Sequence, residues 1–305
     1  MNTDSTIENE EDTVSCSEVA ADDLPIDNQL YFQIYEDYRE GRLQVPTVPD
    51  LAARIRRVIN DPLVNANAIA KIVQTDPSLS AYLVRVANSP LYNIGRKVQD
   101  LPAAITRLGF TVSRDLITSF MLKNLFNSHN PQLKKRMTAL WLHNCAVSAF
   151  SFVIARETRA ASPDRALLAG LLHDVGDAVI LTHAEKYPTL ISEPATLDEV
   201  LAKLRGQIGA MVLTHWNMDE DLVDAASGAE DWYREKAGKA DICDIVIVAQ
   251  LMLNQSDDDG RYLPAAEKVP AFSKLSAGKT LDEFTTSIVD GARDELRDIQ
   301  KLLNN

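Results

Sequence analysis

Leu281, Phe284, Ile288, Ala292, Leu296 and Ile299 recur at the three-and-four spacing of a helix, and no stretch of useful length alternates strictly between apolar and polar residues. A chain patterned this way buries one stripe per helix and has no half-buried strand to build a sheet from. The punctuation agrees. Asp76-Pro77 and Ser162-Pro163 each set a capping side chain before a proline at the first helical position. Thr196-Leu-Asp-Glu199 and Thr280-Leu-Asp-Glu283 have capping-box spacing. The β-branched run from Ile242 to Val248 continues through Ala249, Leu251 and Met252, long enough to favour a buried helix. The expected fold is all-α.

Composition narrows the function classes. With 46% hydrophobic and 25% charged residues in 305, the chain has the balance of a globular protein with a proper core. The longest apolar run, Ile245 to Ala249, is far shorter than the roughly 18 residues of a membrane span, so no membrane association is expected. Met1 is followed by acidic residues, unlike a secretory signal. Cys16, Cys145 and Cys243 are odd in number and widely spaced, which points to a reducing cytoplasm. The net charge of −13 is concentrated at one end: residues 1–23 hold eight acids and no Lys or Arg, leaving 36 acids against 31 bases elsewhere. Neither part has the basic field of a phosphate-backbone binder, so no nucleic-acid partner is expected.

Breaks in the pattern suggest an organisation. Residues 1–27 read as a disordered acidic tail, and 28–41 as a first helix ended by Gly41. A helical subdomain is expected over 28–130, entered through the extended Val45-Pro-Thr-Val-Pro49 and closed by the turn-like Asn127-Ser-His-Asn-Pro131. A second helical subdomain spans 131–254. A polar linker and a C-terminal helix occupy 255–305, and the acidic run Asp257 to Asp259 lacks the ligand alternation of a calcium loop. Asn88-Ser89-Pro90 reads as a helix stop in which Asn tolerates the left-handed conformation. Leu108-Gly109-Phe110 could pass for a helix-turn-helix joint, but the chain's acidity argues against DNA reading.

The residues most able to carry chemistry are His143, His173 and Asp174. His143 shares a helix face with Ala146, Val147, Phe150 and Ile154 and is expected to point inward. His173 follows Ala166, Ala169 and Gly170, small residues that admit a close helix, with Gly176 as a helix cap. Two inward histidines and a carboxylate from separate helices form an N/O set suited to a divalent metal, or equally a hydrogen-bonded buried cluster. His129 and His183 read as surface residues, and His215 beside Trp216 as packing at a helix end.

Gly170-Leu-Leu-His-Asp-Val-Gly176, preceded by His143, resembles the HD superfamily of metal-dependent phosphohydrolases. The sequence is most similar to a branch, the HDOD (HD-related output) domain. The motifs Val45-Pro-Thr-Val-Pro49, Asp76-Pro-Ser-Leu-Ser80, Val86-Ala-Asn-Ser-Pro-Leu-Tyr92 and Ala104-Ile-Thr-Arg-Leu-Gly109 precede the HD pair. Gly209-Ala-Met-Val-Leu-Thr-His-Trp216 follows it. The resemblance covers about residues 42–254 and implies an HD-like multi-helical bundle with an N-terminal helical subdomain. It also implies a last metal ligand on a late helix, at Asp244 or at Gln250.

Departures weaken the implied metal site of His143, His173, Asp174 and Asp244. Arg205 stands where many relatives carry a histidine, and a guanidinium cannot ligate a metal. Asp177 stands where active enzymes often have a lysine and would repel a phosphate. The expectation is a bacterial-type, non-catalytic HDOD signalling protein that works through a signalling protein partner and needs no cofactor. One alternative is a phosphohydrolase using Fe, Mn or Mg on a nucleotide or phosphate ester. Another is a nucleotide-messenger sensor using the degenerate cleft, with Arg107, Arg114 or Arg205 as ligand-binding groups. Because residues 1–27 lack the apolar surface to join a core, a chain beginning at Asn28 is expected to unfold at the temperature of the full chain. A fall of many degrees would show instead that the tail packs on the body.

Overall fold

The computed structural model describes residues 36, 40, 50–59, 61, 64–92, 95–186, 188–254 and 263–304. Met1–Leu43 and Gln44–Asn305 separate as two units, and the expected break near residue 130 falls inside the second. In the first unit only Glu36 and Glu40 are described, joined by a hydrogen bond from Glu40 N to Glu36 O of 2.9 Å. The expected acidic tail, most of the helix at 28–41, the Val45–Pro49 segment and the Asp257–Asp259 run lie outside the described residues.

The second unit is all-α, with no strand among the described residues. Its helices are α1 Asp50–Ile59, α2 Ala66–Val73, α3 Pro77–Ala87, α4 Leu101–Leu108, α5 Phe110–Leu122, α6 Pro131–Thr158 and α7 Pro163–Leu172. They continue as α8 Val175–Ala184, α9 Pro188–Ser192, α10 Pro194–His215, α11 Glu220–Gly228, α12 Ile242–Asn254, α13 Pro270–Leu275 and α14 Leu281–Asn304. Side-chain caps start several of them. Asp76 Oδ1 accepts from Ser78 N and Leu79 N at 2.9 and 3.1 Å, and Asn130 Oδ1 from Gln132 N at 2.9 Å. Each such cap stabilises its helix by about 1 kcal/mol. The box at Thr280 is reciprocal, with Thr280 N donating to Glu283 Oε2 at 2.9 Å and Glu283 N to Thr280 Oγ1 at 3.3 Å. The box expected at Thr196 does not form: Pro194 is compatible with the first helical turn, so α10 begins earlier and Thr196 lies inside it.

Helices α1 to α5 enclose a core of Ile55, Ile69, Leu79, Leu83, Ile105 and Ile117, all fully buried. Asn88 ends α3 in a right-handed conformation, φ −99° and ψ 0°, rather than the expected left-handed one. Its amide does the work: Nδ2 donates to Val84 O at 3.0 Å and Val98 O at 2.9 Å, and Oδ1 accepts from Val98 N at 2.9 Å. Gly109, at φ 79°, separates α4 from α5.

The long α6 spans about 42 Å at 1.5 Å per residue and packs against α7, α12 and α14. Both α6 and the stretch Pro163–Ala184 are long and apolar enough to cross a membrane by length and composition alone, although no run of consecutive apolar residues suggests it. Their most apolar windows are 67% and 94% buried, so the fold itself consumes that surface. An ionic cluster ties α5, α7 and α11 together. Arg165 pairs with Asp221 at 2.5 Å, Asp219 at 2.6 Å and Asp115 at 3.8 Å. Tyr92 adds a short hydrogen bond to Asp164 at the start of α7.

The C-terminal stripe is covered within the chain. Phe284, Ile288, Ala292, Leu296 and Ile299 are buried, with α14 lying along α6 and bending at Ala292 beside Gly291. At its far end, Leu302 packs on the N-terminal core, so α14 touches both helical groups. Truncating a fully buried Ile costs about 2–5 kcal/mol. Ile299→Ala is therefore expected to lower the urea midpoint substantially, and an unchanged midpoint would show that the stripe is not a packing face.

Candidate functional site

Helix α7 lies so close to α6 that a Cβ on Gly170 would sit 2.7 Å from Ser148 Cα and 2.9 Å from Ser148 N. Two buried α6 side chains lock this contact: Ser148 Oγ donates to Leu167 O at 2.6 Å, and Asn144 Nδ2 to Leu171 O at 3.2 Å. The small residues before His173 thus serve the close approach their size suggests. A second crossing is tighter. A Cβ on Gly176 would fall 2.1 Å from Arg205 O and 2.8 Å from Gly209 N, so Gly176 is an α8–α10 contact point and not the expected helix cap.

Asp174 stands at the corner between α7 and α8, with φ −105° and ψ 24°, and His173 immediately precedes it. His143 comes from α6. The two imidazole centroids are 5.3 Å apart, and Asp174 Oδ2 lies 3.4 Å from His173 Nε2 and 3.9 Å from His143 Nε2. Ligand atoms of all three lie within 4.8 Å of one another. His173 and Asp174 are fully buried, whereas the His143 side chain keeps 16% exposure and opens the cluster to one side. His173 Nδ1 is 2.8 Å from Gly170 O, and a carbonyl only accepts, so Nδ1 carries the proton. That tautomer leaves a lone pair on Nε2, a buried atom with no hydrogen-bond partner among the described residues. The donor set therefore fits a divalent ion in kind and spacing.

Arg205 changes the electrostatics of the same place. Its guanidinium lies 3.6 Å from Asp174 Oδ2, 3.3 Å from Asp177 Oδ2 and 3.1 Å from Glu230 Oε1. Burial opposes its charge, but Asp174, Asp177 and Glu230 outweigh that effect and raise its pKa, so it stays protonated. Breaking a buried pair of this kind costs about 3–5 kcal/mol, so Arg205 is a fixed part of the cluster. Three carboxylates against one guanidinium leave two net negative charges when both histidines are neutral. Glu230, which follows α11, has no local sequence signal that would mark it as a member.

Asp244 is not in the donor group. In the first turn of α12 it is fully buried, bound by Arg234 Nη1 and Lys274 Nζ, each at 2.8 Å, and it accepts from Asp241 N at 3.1 Å. Gln250, the other position considered, donates to Ala229 O at 2.9 Å. His129 is exposed as expected; His215, expected to pack at its helix end, is exposed while Trp216 beside it is buried, and His183 is buried because α8 is enclosed on nearly every side. Arg107 donates to the carbonyls of Ala87 and Arg96, and Arg114 pairs with Asp115 at 2.8 Å, so both serve the fold.

A helical bundle with an HD pair at a helix corner defines an HD-like protein, and the sequence comparison narrows the class. The HDOD domain model matches residues 45–231, and the chain belongs to the HDOD family. Solved structures share the fold. A proposed metal-dependent phosphohydrolase from Shewanella amazonensis is 23% identical, with 91% of this chain and 99% of that one covered and a TM-score of 0.77. An HDOD domain protein of unknown function from Geobacter sulfurreducens is also 23% identical, with 92% and 99% covered and a TM-score of 0.66. A proposed signal transduction protein from Marinobacter aquaeolei is 18% identical, with 93% and 67% covered and a TM-score of 0.61. No functionally curated protein matches the sequence.

The α8–α10 crossing gives a direct test. Gly176→Ala forces a methyl group into backbone atoms that cannot move independently, and is expected to cost about 3 kcal/mol. Gly291→Ala, whose Cβ meets nothing within 4 Å, is the control and should be neutral or slightly stabilising. Equal melting temperatures for the two variants would contradict the close crossing.

Proposed function

We propose that this chain is a bacterial, cytoplasmic HDOD regulatory protein that performs no catalysis and relays a signal by binding a protein partner. The carrying observation is Arg205, held within 3.1–3.6 Å of Asp174, Asp177 and Glu230. Phosphoryl chemistry needs positive charge aimed at the developing charge on the phosphate. Here the Arg205 guanidinium is consumed by three carboxylates, and the net charge of these four groups repels a phosphate. Asp177, buried beside Arg205, adds to that repulsion.

The competing reading is a metal-dependent phosphohydrolase, favoured by the spacing of His143, His173 and Asp174. Those residues would hold the ion, which when bound would supply Lewis-acid activation of a phosphate ester. Arg205 shares Asp174 Oδ2 with both histidines, so an incoming cation would have to share that oxygen with a guanidinium.

The readings separate in one experiment. The full chain is assayed against phosphomonoesters, phosphodiesters and nucleotides with added manganese, magnesium or iron, and its metal content is measured. Little metal and no turnover are expected. A correctly folded His173→Ala, Asp174→Ala double variant should retain binding to the protein partner. Robust hydrolysis by the parent that disappears in the double variant would overturn the proposal in favour of the enzyme.

A further inference from the structure

A second candidate site lies away from the HD cluster, on a cleft with a volume of about 730 Å³ formed where the C-terminal end of α6 meets the 238–240 loop, α13 and α14. At 1.5 Å per residue, Thr158 in its wall is about 22 Å along α6 from His143. The rim is basic in a chain whose net charge is −13: it carries Arg159, Lys239, Lys274 and Lys279 against a single acid, Glu157. That acid is already paired with Arg156 at 2.7 Å. Lys274 is committed to Asp244, and Lys279 donates to Ser287 Oγ at 3.2 Å. Arg159 and Lys239 are exposed and make no ion pair among the described residues. The rim therefore presents Arg159 and Lys239 without a carboxylate partner among the described residues, and Lys279 with Glu283 nearby.

The floor is different. Leu275, Phe284 and Ile288 line it and are themselves more than nine-tenths buried, so they form a firm apolar surface. The wall also includes Ser276 in a right-handed conformation, φ −73° and ψ −15°, followed by Ala277 at φ 51°. This turn ends α13, with Ser276 N donating to Phe272 O at 2.9 Å and Lys279 N to Ser276 O at 3.1 Å, and so sets Lys279 at the rim. The volume falls in the range of sites for small organic ligands, roughly 300–1,000 Å³. Cations at the rim suit a phosphate, and the apolar floor suits a flat ring.

We propose that this cleft binds a nucleoside phosphate, its phosphates on Arg159, Lys239 and Lys279 and its base against Leu275, Phe284 and Ile288. The site is separate from the HD cluster and does not depend on whether that cluster turns over substrate.

The test is calorimetric titration of the full chain with ADP, with adenosine and with inorganic phosphate. ADP is expected to bind one to one and more tightly than either fragment. An Arg159→Asn, Lys239→Gln, Lys279→Gln variant changes only exposed side chains, and asparagine tolerates the left-handed backbone at 159. Loss of charge-assisted hydrogen bonds should weaken its ADP affinity about tenfold or more while its melting temperature stays that of the parent. Lys239→Glu alone, in a loop, should weaken binding in the same direction. His173→Ala should leave ADP affinity unchanged. The proposal fails if ADP does not bind at about 1 mM, if it binds no tighter than phosphate, if the charge variants bind like the parent, or if His173→Ala abolishes binding.

Discussion

The contact between α6 and α7 is the constraint on which the rest of the structure depends. Gly170 brings the α7 backbone so near Ser148 that an added Cβ would lie 2.7 Å from the Ser148 Cα, leaving no room for a side chain between the helices. At that separation the polar α6 residues Asn144 and Ser148 reach α7 carbonyls and would be costly to bury otherwise. The two hydrogen bonds fix the register of one helix on the other. His143, one residue before Asn144, is thereby set beside His173, two residues after Leu171. A slip of either helix would separate the imidazoles and leave two buried polar groups unsatisfied, so packing and site geometry are set by the same atoms.

The α8–α10 crossing decides what the histidines face. Because Gly176 touches the backbone of residue 205, whatever side chain stands at 205 must emerge beside Asp174 and Asp177. The backbone fixes the meeting, and the residue type fixes its chemistry. An arginine there sets a permanent cation, which has no lone pair to offer a metal, beside both carboxylates.

Buried charge elsewhere is also paired. Asp244 is enclosed by Arg234, Lys274 and the backbone of Asp241. Through Lys274 it links α12 to the basic cleft. Arg165 on α7 performs the equivalent role, taking its carboxylates from α5 and from the start of α11. The pairs of Lys274 with Asp244 and of Arg165 with Asp115, Asp219 and Asp221 join elements 30 or more residues apart, and none is visible as a local pattern.

What the sequence determined by itself follows from interactions within a turn or two of helix. The all-α class, the cap at Asp76, the reciprocal box at Thr280 and Glu283 and the apolar stripe of α14 depend on neighbours three or four residues away, whereas Ser162, also read as a cap, makes no side-chain cap hydrogen bond. The ordered motifs around His143, His173 and Asp174 likewise marked the family and the candidate cluster. Only the tertiary structure decided the rest. Thr196 lost its cap position to Pro194, Asn88 ended its helix by clasping Val98, and Gly176 proved to be a crossing point. His183 was buried because several helices enclose α8, and Asp244 was assigned to Arg234 and Lys274 rather than to the histidines. Arg205 met Glu230 across twenty-five residues. Each of these depends on which helices approach and how closely, and close packing sets those distances through contacts that no local spacing encodes.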